Sequence, residues 1–168
     1  MPISTTVKDG SGDRHWMIVN ALGEQIIADS WIPELQADET ADDSDKTFTV
    51  DADEYWRIQS IWVEYTSDGN AGNRELVLEI QDAAADVIAR VKVGIVQAAS
   101  LTRYYMLAPD VVELEAFRGT AAADYLSTII PKFTLLSGWI VRIYDIAAVS
   151  AAGDDMVVQM IIEKKMIS

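Results

Sequence analysis

Three strand-like runs lie between Trp56 and Val93, and they restrict the fold more than any other stretch. The first spans residues 56–67, the second 75–82 and the third 87–93, with a Gly/Asn turn and an Ala/Asp turn between them. In the second run Leu76, Leu78 and Ile80 share one parity, and Glu75, Val77, Glu79 and Gln81 the other. In the third, Val87, Ala89, Val91 and Val93 alternate with Ile88, Arg90 and Lys92. Successive side chains of a strand point to opposite faces, so this pattern predicts an antiparallel meander with one solvated face. The remaining segments are expected to cover its apolar face.

Further strands are predicted over residues 15–19, 46–50, 101–108, 129–135, 139–145 and 156–163. Pro131 suits an edge strand. In the strand at 139–145, Trp139, Val141 and Ile143 share a face. Residues 24–32 read as a strand or a helical turn that ends near Pro33. Residues 36–45 read as a polar acidic loop and 147–155 as a small-residue loop. Residues 112–118 read as a short helix or an irregular excursion ending at Gly119, and 164–168 as a short tail. Eight or nine strands at hairpin spacing, without alternating long helices, predict an all-β antiparallel sandwich or barrel. No internal repeat of the length used by solenoids or propellers is present. The expected organisation is an N-terminal arm or docking segment over residues 1–45, then a β-sandwich domain over 46–168.

The chain has 168 residues and no cysteine. A chain of that size buries roughly 70% of its unfolded surface, so it needs no covalent staple. Without cysteine, disulfides, thiolate metal sites and a cysteine nucleophile are excluded. The net charge is −14. Thirteen acidic and 3 basic residues precede Tyr55, a net of −10, and 14 acidic and 10 basic residues make up the rest, a net of −4. Such a surface repels phosphate backbones and anionic membranes, so neither nucleic acid nor membrane is an expected partner. No segment has the apolar length of a membrane span. The first ten residues lack a basic region followed by an apolar core, so a secretory signal is not expected.

Chemistry-bearing residues are scattered. His15 is the sole histidine and sits in a short apolar run, which reads as incidental. Asp38, Glu39, Asp42, Asp43 and Asp45 supply oxygen donors, but the glycine and closing glutamate of a calcium loop are missing. Asp154 and Asp155 beside Gly153 read as turn residues. Gly69–Asn73 lacks the Lys-Ser/Thr and helix of a phosphate-binding loop. Carboxylates are plentiful, yet no spacing selects a glycosidase pair. Of the tryptophans, Trp16, Trp31, Trp56, Trp62 and Trp139, the first choice is core or subunit-interface packing. Trp56, Ile58 and Trp62 share one parity and are expected on one internal face. No catalytic, cofactor-binding or metal-binding residue is assigned, and no cofactor is expected.

Four segments resemble small virion proteins of tailed bacteriophages. They are residues 56–67, residues 72–80 (Gly72-Asn73-Arg74-Glu75-Leu76-Val77-Leu78-Glu79-Ile80), residues 101–105 (Leu101-Thr102-Arg103-Tyr104-Tyr105) and residues 136–145 (Leu136-Ser137-Gly138-Trp139-Ile140-Val141-Arg142-Ile143-Tyr144-Asp145). The resemblance covers residues 46–163 and rests on strand and turn signatures. It implies a jelly-roll-like β-sandwich with a non-enzymatic structural role. It further implies a capsid decoration or cement protein, a homotrimer that binds the major capsid protein on the capsid surface after synthesis in the host cytoplasm. The alternative is a tail or collar module that recognises a glycan or another virion protein.

Overall fold

A computed structural model of the chain describes residues 5–8, 14–19, 25–26, 31–42, 45–72, 74–111, 125–146 and 153–166. These residues form strands and connections, with no α-helix among them. The strands are β1 (Thr5–Lys8), β2 (Arg14–Val19), β3 (Gln25–Ile26), β4 (Ile32–Asp42), β5 (Asp45–Thr49) and β6 (Glu54–Thr66). They continue as β7 (Leu76–Gln81), β8 (Val87–Lys92), β9 (Thr102–Ala108), β10 (Tyr125–Ile129), β11 (Ile140–Asp145) and β12 (Asp155–Met166). Strands β1, β2 and β3 make a small antiparallel sheet. The others form a five-stranded sheet, β10-β9-β6-β12-β4, and a four-stranded sheet, β5-β11-β7-β8.

Four antiparallel pairs nest within one another along the chain: β4 with β12, β5 with β11, β6 with β9, and β7 with β8. Alternate pairs fall in alternate sheets. This is the winding of an eight-stranded jelly roll, as a sandwich that the sequence pattern predicts. The addition is β10, which runs parallel to β9 at the sheet edge.

The core lies between the two sheets. Ile61, Val63, Leu107, Met156, Val158 and Met160 from the five-stranded sheet meet Leu78, Ile80, Val141 and Ile143 from the other. Each such side chain contributes roughly 1.5–3 kcal/mol on burial. Trp139 packs against this cluster with Val141 and Ile143, as its parity predicts. The turn from Leu136 to Trp139 closes with a 3.0 Å bond from the Trp139 amide to the Leu136 carbonyl. Gly138 occupies its third position with φ of +78°, where a side chain is strained.

Several expectations need correction. The central stretch is not one meander, because β6 lies in the five-stranded sheet and β7 and β8 lie in the other. The nine-residue connection after β6 crosses between sheets, whereas a meander needs a tight turn. Residues 36–42 are strand rather than acidic loop, since β4 pairs with β12 along most of its length. The sandwich therefore takes in residues 32–42 as well as those from Lys46 onward. The strand expected at 129–135 lies earlier, as β10, and Pro131 follows it. The expected tail at 164–168 is strand as far as Met166. Of the loop expected at 147–155, residues 147–152 lie outside the described residues and Asp155 begins β12; the excursion at 112–118 also lies outside the described residues.

One irregularity sets the two faces of β6. Ser60 stands opposite Ile161 and Ile58 opposite Ile162, so Gln59 is an extra residue in a β-bulge. Glu54, Trp56 and Ile58 point inward before it, and Ile61, Val63 and Tyr65 after it. The bulge restores core-facing parity on both halves. Deleting Gln59 is expected to leave a regular ladder, with a thermal midpoint within about 5 °C of the parent, roughly a 1–2 kcal/mol change. A chain that fails to fold on that deletion contradicts the bulge assignment.

Candidate functional site

The outer face of the five-stranded sheet carries the most unusual surface among the described residues. Beyond the bulge, Trp62 points outward, opposite Met106 of β9 and Gln159 of β12. Its ring stacks on Tyr104, with centroids 5.7 Å apart and planes 25° from parallel. Exposed apolar side chains continue the face: Leu35 (56%), Ile161 (48%), Met106 (46%) and Ile129 (63%). Leu35 and Ile161 are direct cross-strand partners. Arg57 lies over the Trp31 ring, 3.8 Å from its centroid.

This face also has a gap. Strand β9 pairs with β6 from Ile61 to Thr66, and Leu135 pairs with it at Trp56. Over the bulge lies an open cleft of about 670 Å³, whose lining includes buried Ile58 and Ala108 with exposed Arg57 and Gln59.

Several buried charged groups serve as internal fastening. Lys46 of β5 is buried and donates from Nζ to Asp38 (3.2 Å), to the Thr40 carbonyl (2.8 Å) and to Asp42, all on β4. It thereby ties the edges of the two sheets. Burial opposes its charge, but the bonds to Asp42 and Asp38 prevail and raise its pKa. On the four-stranded sheet, Glu79 is buried although it faces outward. Arg90 Nε (2.8 Å), Gln81 Nε2 (2.7 Å) and the Tyr144 hydroxyl (3.1 Å) all donate to it. That sheet's outer face is thus covered at Glu79 rather than wet.

The crossing after β6 is held by Arg74, which is fully buried. Its guanidinium donates to Asp154 Oδ2 (2.6 Å), to the Asn70 carbonyl (2.8 Å) and to Asp68. Asp154 also accepts from the Asp68 amide (2.7 Å) and the Tyr65 hydroxyl (2.8 Å). The Tyr65 hydroxyl bonds Asp145 as well, and burial with these two carboxylates drives its pKa far above the usual phenol range. Burial works to raise the Asp154 pKa, but Arg74 and the other donors outweigh it and hold it below the carboxylate range. Nearby, Gln97 Nε2 donates to the carbonyls of Tyr65 (2.9 Å) and Leu101 (2.8 Å), and its Oε1 accepts from Tyr105 (2.8 Å). Among the described residues no buried side-chain polar atom lacks a partner.

The residues weighed from sequence are therefore dispersed. Asp38 and Asp42 hold Lys46, Asp45 holds Arg142 (2.6 Å), Glu39 accepts from Gln159 (2.6 Å) and Asp154 holds Arg74. Asp43 lies outside the described residues. His15 and Trp16 lie on β2, which pairs with β1 through its backbone. Trp56 is core, and its Nε1 donates to Glu54 at 2.8 Å. Trp62 is not on the same face as Trp56 and Ile58, because the bulge lies between them. The signal was present: Gln59-Ser60 interrupts an apolar alternation that resumes out of phase at Ile61. Among the described residues no group of three or more His, Asp or Glu is placed to hold a metal.

No protein-family model and no curated protein matches the chain. Several solved structures resemble it weakly, and three of them follow. Dimeric latent PorU from Porphyromonas gingivalis is 9% identical, with a TM-score of 0.42 over 81% of this chain and 13% of that one. A chain of infectious bursal disease virus, Gx strain, is 10% identical, with a TM-score of 0.33 over 99% and 42%. An exo-β-agarase is 11% identical, with a TM-score of 0.27 over 100% and 22%. The chain thus spans less than half the length of each.

Replacing Asp154 by Asn leaves Arg74 buried with a counter-charge removed, and is expected to cost about 3 kcal/mol at pH 7 by urea unfolding. Because its folded pKa is depressed, Asp154 stabilises above the unfolded value of about 3.9 and loses this effect as pH falls through the folded value. The stability gap between the two proteins should narrow on acidification below about pH 4. A gap that widens there contradicts the assignment.

Proposed function

We propose that the chain is a non-enzymatic structural protein of a tailed-bacteriophage virion, a capsid decoration or cement protein that binds the major capsid protein and stabilises the head. The observation that carries this reading is the outer face of the five-stranded sheet. Leu35, Ile161, Met106 and Ile129 are exposed there beside the Trp62–Tyr104 pair. Exposed apolar and aromatic side chains set among polar ones are the kind of surface that proteins use for association. The resemblance of residues 46–163 to small virion proteins supplies the setting, and the jelly roll is compatible with it without specifying it.

The physical role follows from load. A filled head is pushed outward by its packaged genome, and a protein lying across neighbouring subunits adds contacts that must break before they part. The sandwich suits this task because Lys46 ties its sheets at one edge and Arg74 ties the crossing between them. A homotrimer on local threefold positions would present three such faces at once. Residues 1–30, which precede the sandwich strands, are the remaining docking candidate. Removing all 45 would also take away β4.

The test is cosedimentation with heads that lack the protein. Leu35→Lys with Ile161→Lys should reduce occupancy about tenfold or more while the melting curve stays cooperative, since loss of about 1.4 kcal/mol in binding is a factor of ten. Occupancy equal to the parent protein contradicts the role of this face.

A further inference from the structure

The cleft over the bulge has a composition that the docking role does not require. Its apolar lining includes Ile58, Met106 and Phe133, and its polar lining falls into mutually bonded pairs. Gln59 Nε2 donates to Glu163 Oε2 at 3.1 Å. Lys132 and Asp110 form an ion pair at 2.6 Å. Arg57 stands opposite Glu163 in the strand register, and its Nε lies 3.4 Å from Thr134 Oγ1.

Two consequences follow. Arg57 and Lys132 balance Asp110 and Glu163, so the cleft is locally neutral within a chain of charge −14. An anion is repelled by the whole and gains nothing at the site, and a cation finds its carboxylates already engaged. The polar groups are bonded to one another at the exposed rim, Gln59 to Glu163 and Lys132 to Asp110, so they offer donors and acceptors side by side. Guanidinium, amide and carboxylate groups beside an apolar patch match a molecule with hydroxyls on its edge and C–H groups on its face. The cleft is open, so it admits a segment of a longer chain rather than enclosing a small metabolite. At about 670 Å³ it lies within the usual range of ligand sites.

We propose that this cleft is a saccharide site for a neutral glycan chain. Met106 borders the cleft on the side of the Trp62–Tyr104 pair, and that pair stays with the docking face, so the saccharide site is the cleft itself. The site is independent of where on a particle the protein sits.

The test uses the full chain and saturation-transfer NMR with neutral gluco-, galacto- and manno-oligosaccharides, with sialylated and sulfated ones as charged controls. At least one neutral oligosaccharide should bind with Kd below about 10 mM, with little dependence on salt. Gln59→Ala, at an exposed position, should weaken it about fivefold or more, and Val87→Ser on β8 should leave it unchanged. Four results would each overturn the proposal. They are no neutral sugar bound, binding confined to charged glycans and abolished by salt, binding indifferent to Gln59→Ala, and a cleft variant that loses only a protein partner.

Discussion

A strand of thirteen residues paired along its length with a twelve-residue neighbour can re-aim its side chains in one way only, by inserting an extra residue. Gln59 is that residue in β6. Ahead of it, Trp56 and Ile58 fill the core; behind it, Ile61, Val63 and Tyr65 do so. Without the change of phase, one half of β6 would turn its apolar side chains to solvent. The shift also decides the outer face. Trp62 emerges beside Tyr104, and the pairing of β6 with β9 stops short of the bulge, leaving the cleft. Core and candidate site thus share one cause.

The polar groups show a second constraint. A jelly roll passes its chain repeatedly from one sheet to the other, and each crossing brings backbone groups out of the ladder. Here the crossing after β6 closes around Arg74, whose donors are taken up by Asp68, Asn70 and Asp154. Gln97 satisfies carbonyls of the same end, and its backbone amide donates to the Arg74 carbonyl at 2.7 Å. Burying a guanidinium is costly, and replacing such a group by apolar residues is often neutral. Its use here is geometric: one planar group with several donors closes the crossing on Asp68 and Asn70 and ties it to Asp154 ahead of β12, which a methyl group does not.

Much of the fold was legible from alternation alone. The run from Leu76 to Ile80, the strand ending at Asp145 and the strand from Met156 onward all keep period two, and all lie where that period puts them. What alternation does not carry is partnership. Residues 56–93 look like one meander because parity says which side chains share a face, not which sheet a strand joins. The acidic stretch at 36–42 was misread for a related reason. Asp38 and Asp42 suggest a loop, yet their charge is answered by Lys46 from the next strand, which a local reading does not see. The site was legible only in retrospect. Gln59-Ser60 marks the break in phase, but Trp62 keeps the parity of Trp56 and conceals it.

The most direct measurement is hydroxyl-radical footprinting of the folded protein, read residue by residue by mass spectrometry. The bulge places Trp62 and Met106 on the outer face and Trp56 and Met160 in the core. Trp62 and Met106 should be oxidised readily, while Trp56 and Met160 stay protected until the protein unfolds. Protection of Trp62 to the same degree as Trp56 would mean that β6 keeps a single phase, and the account of the outer face and its cleft would fail.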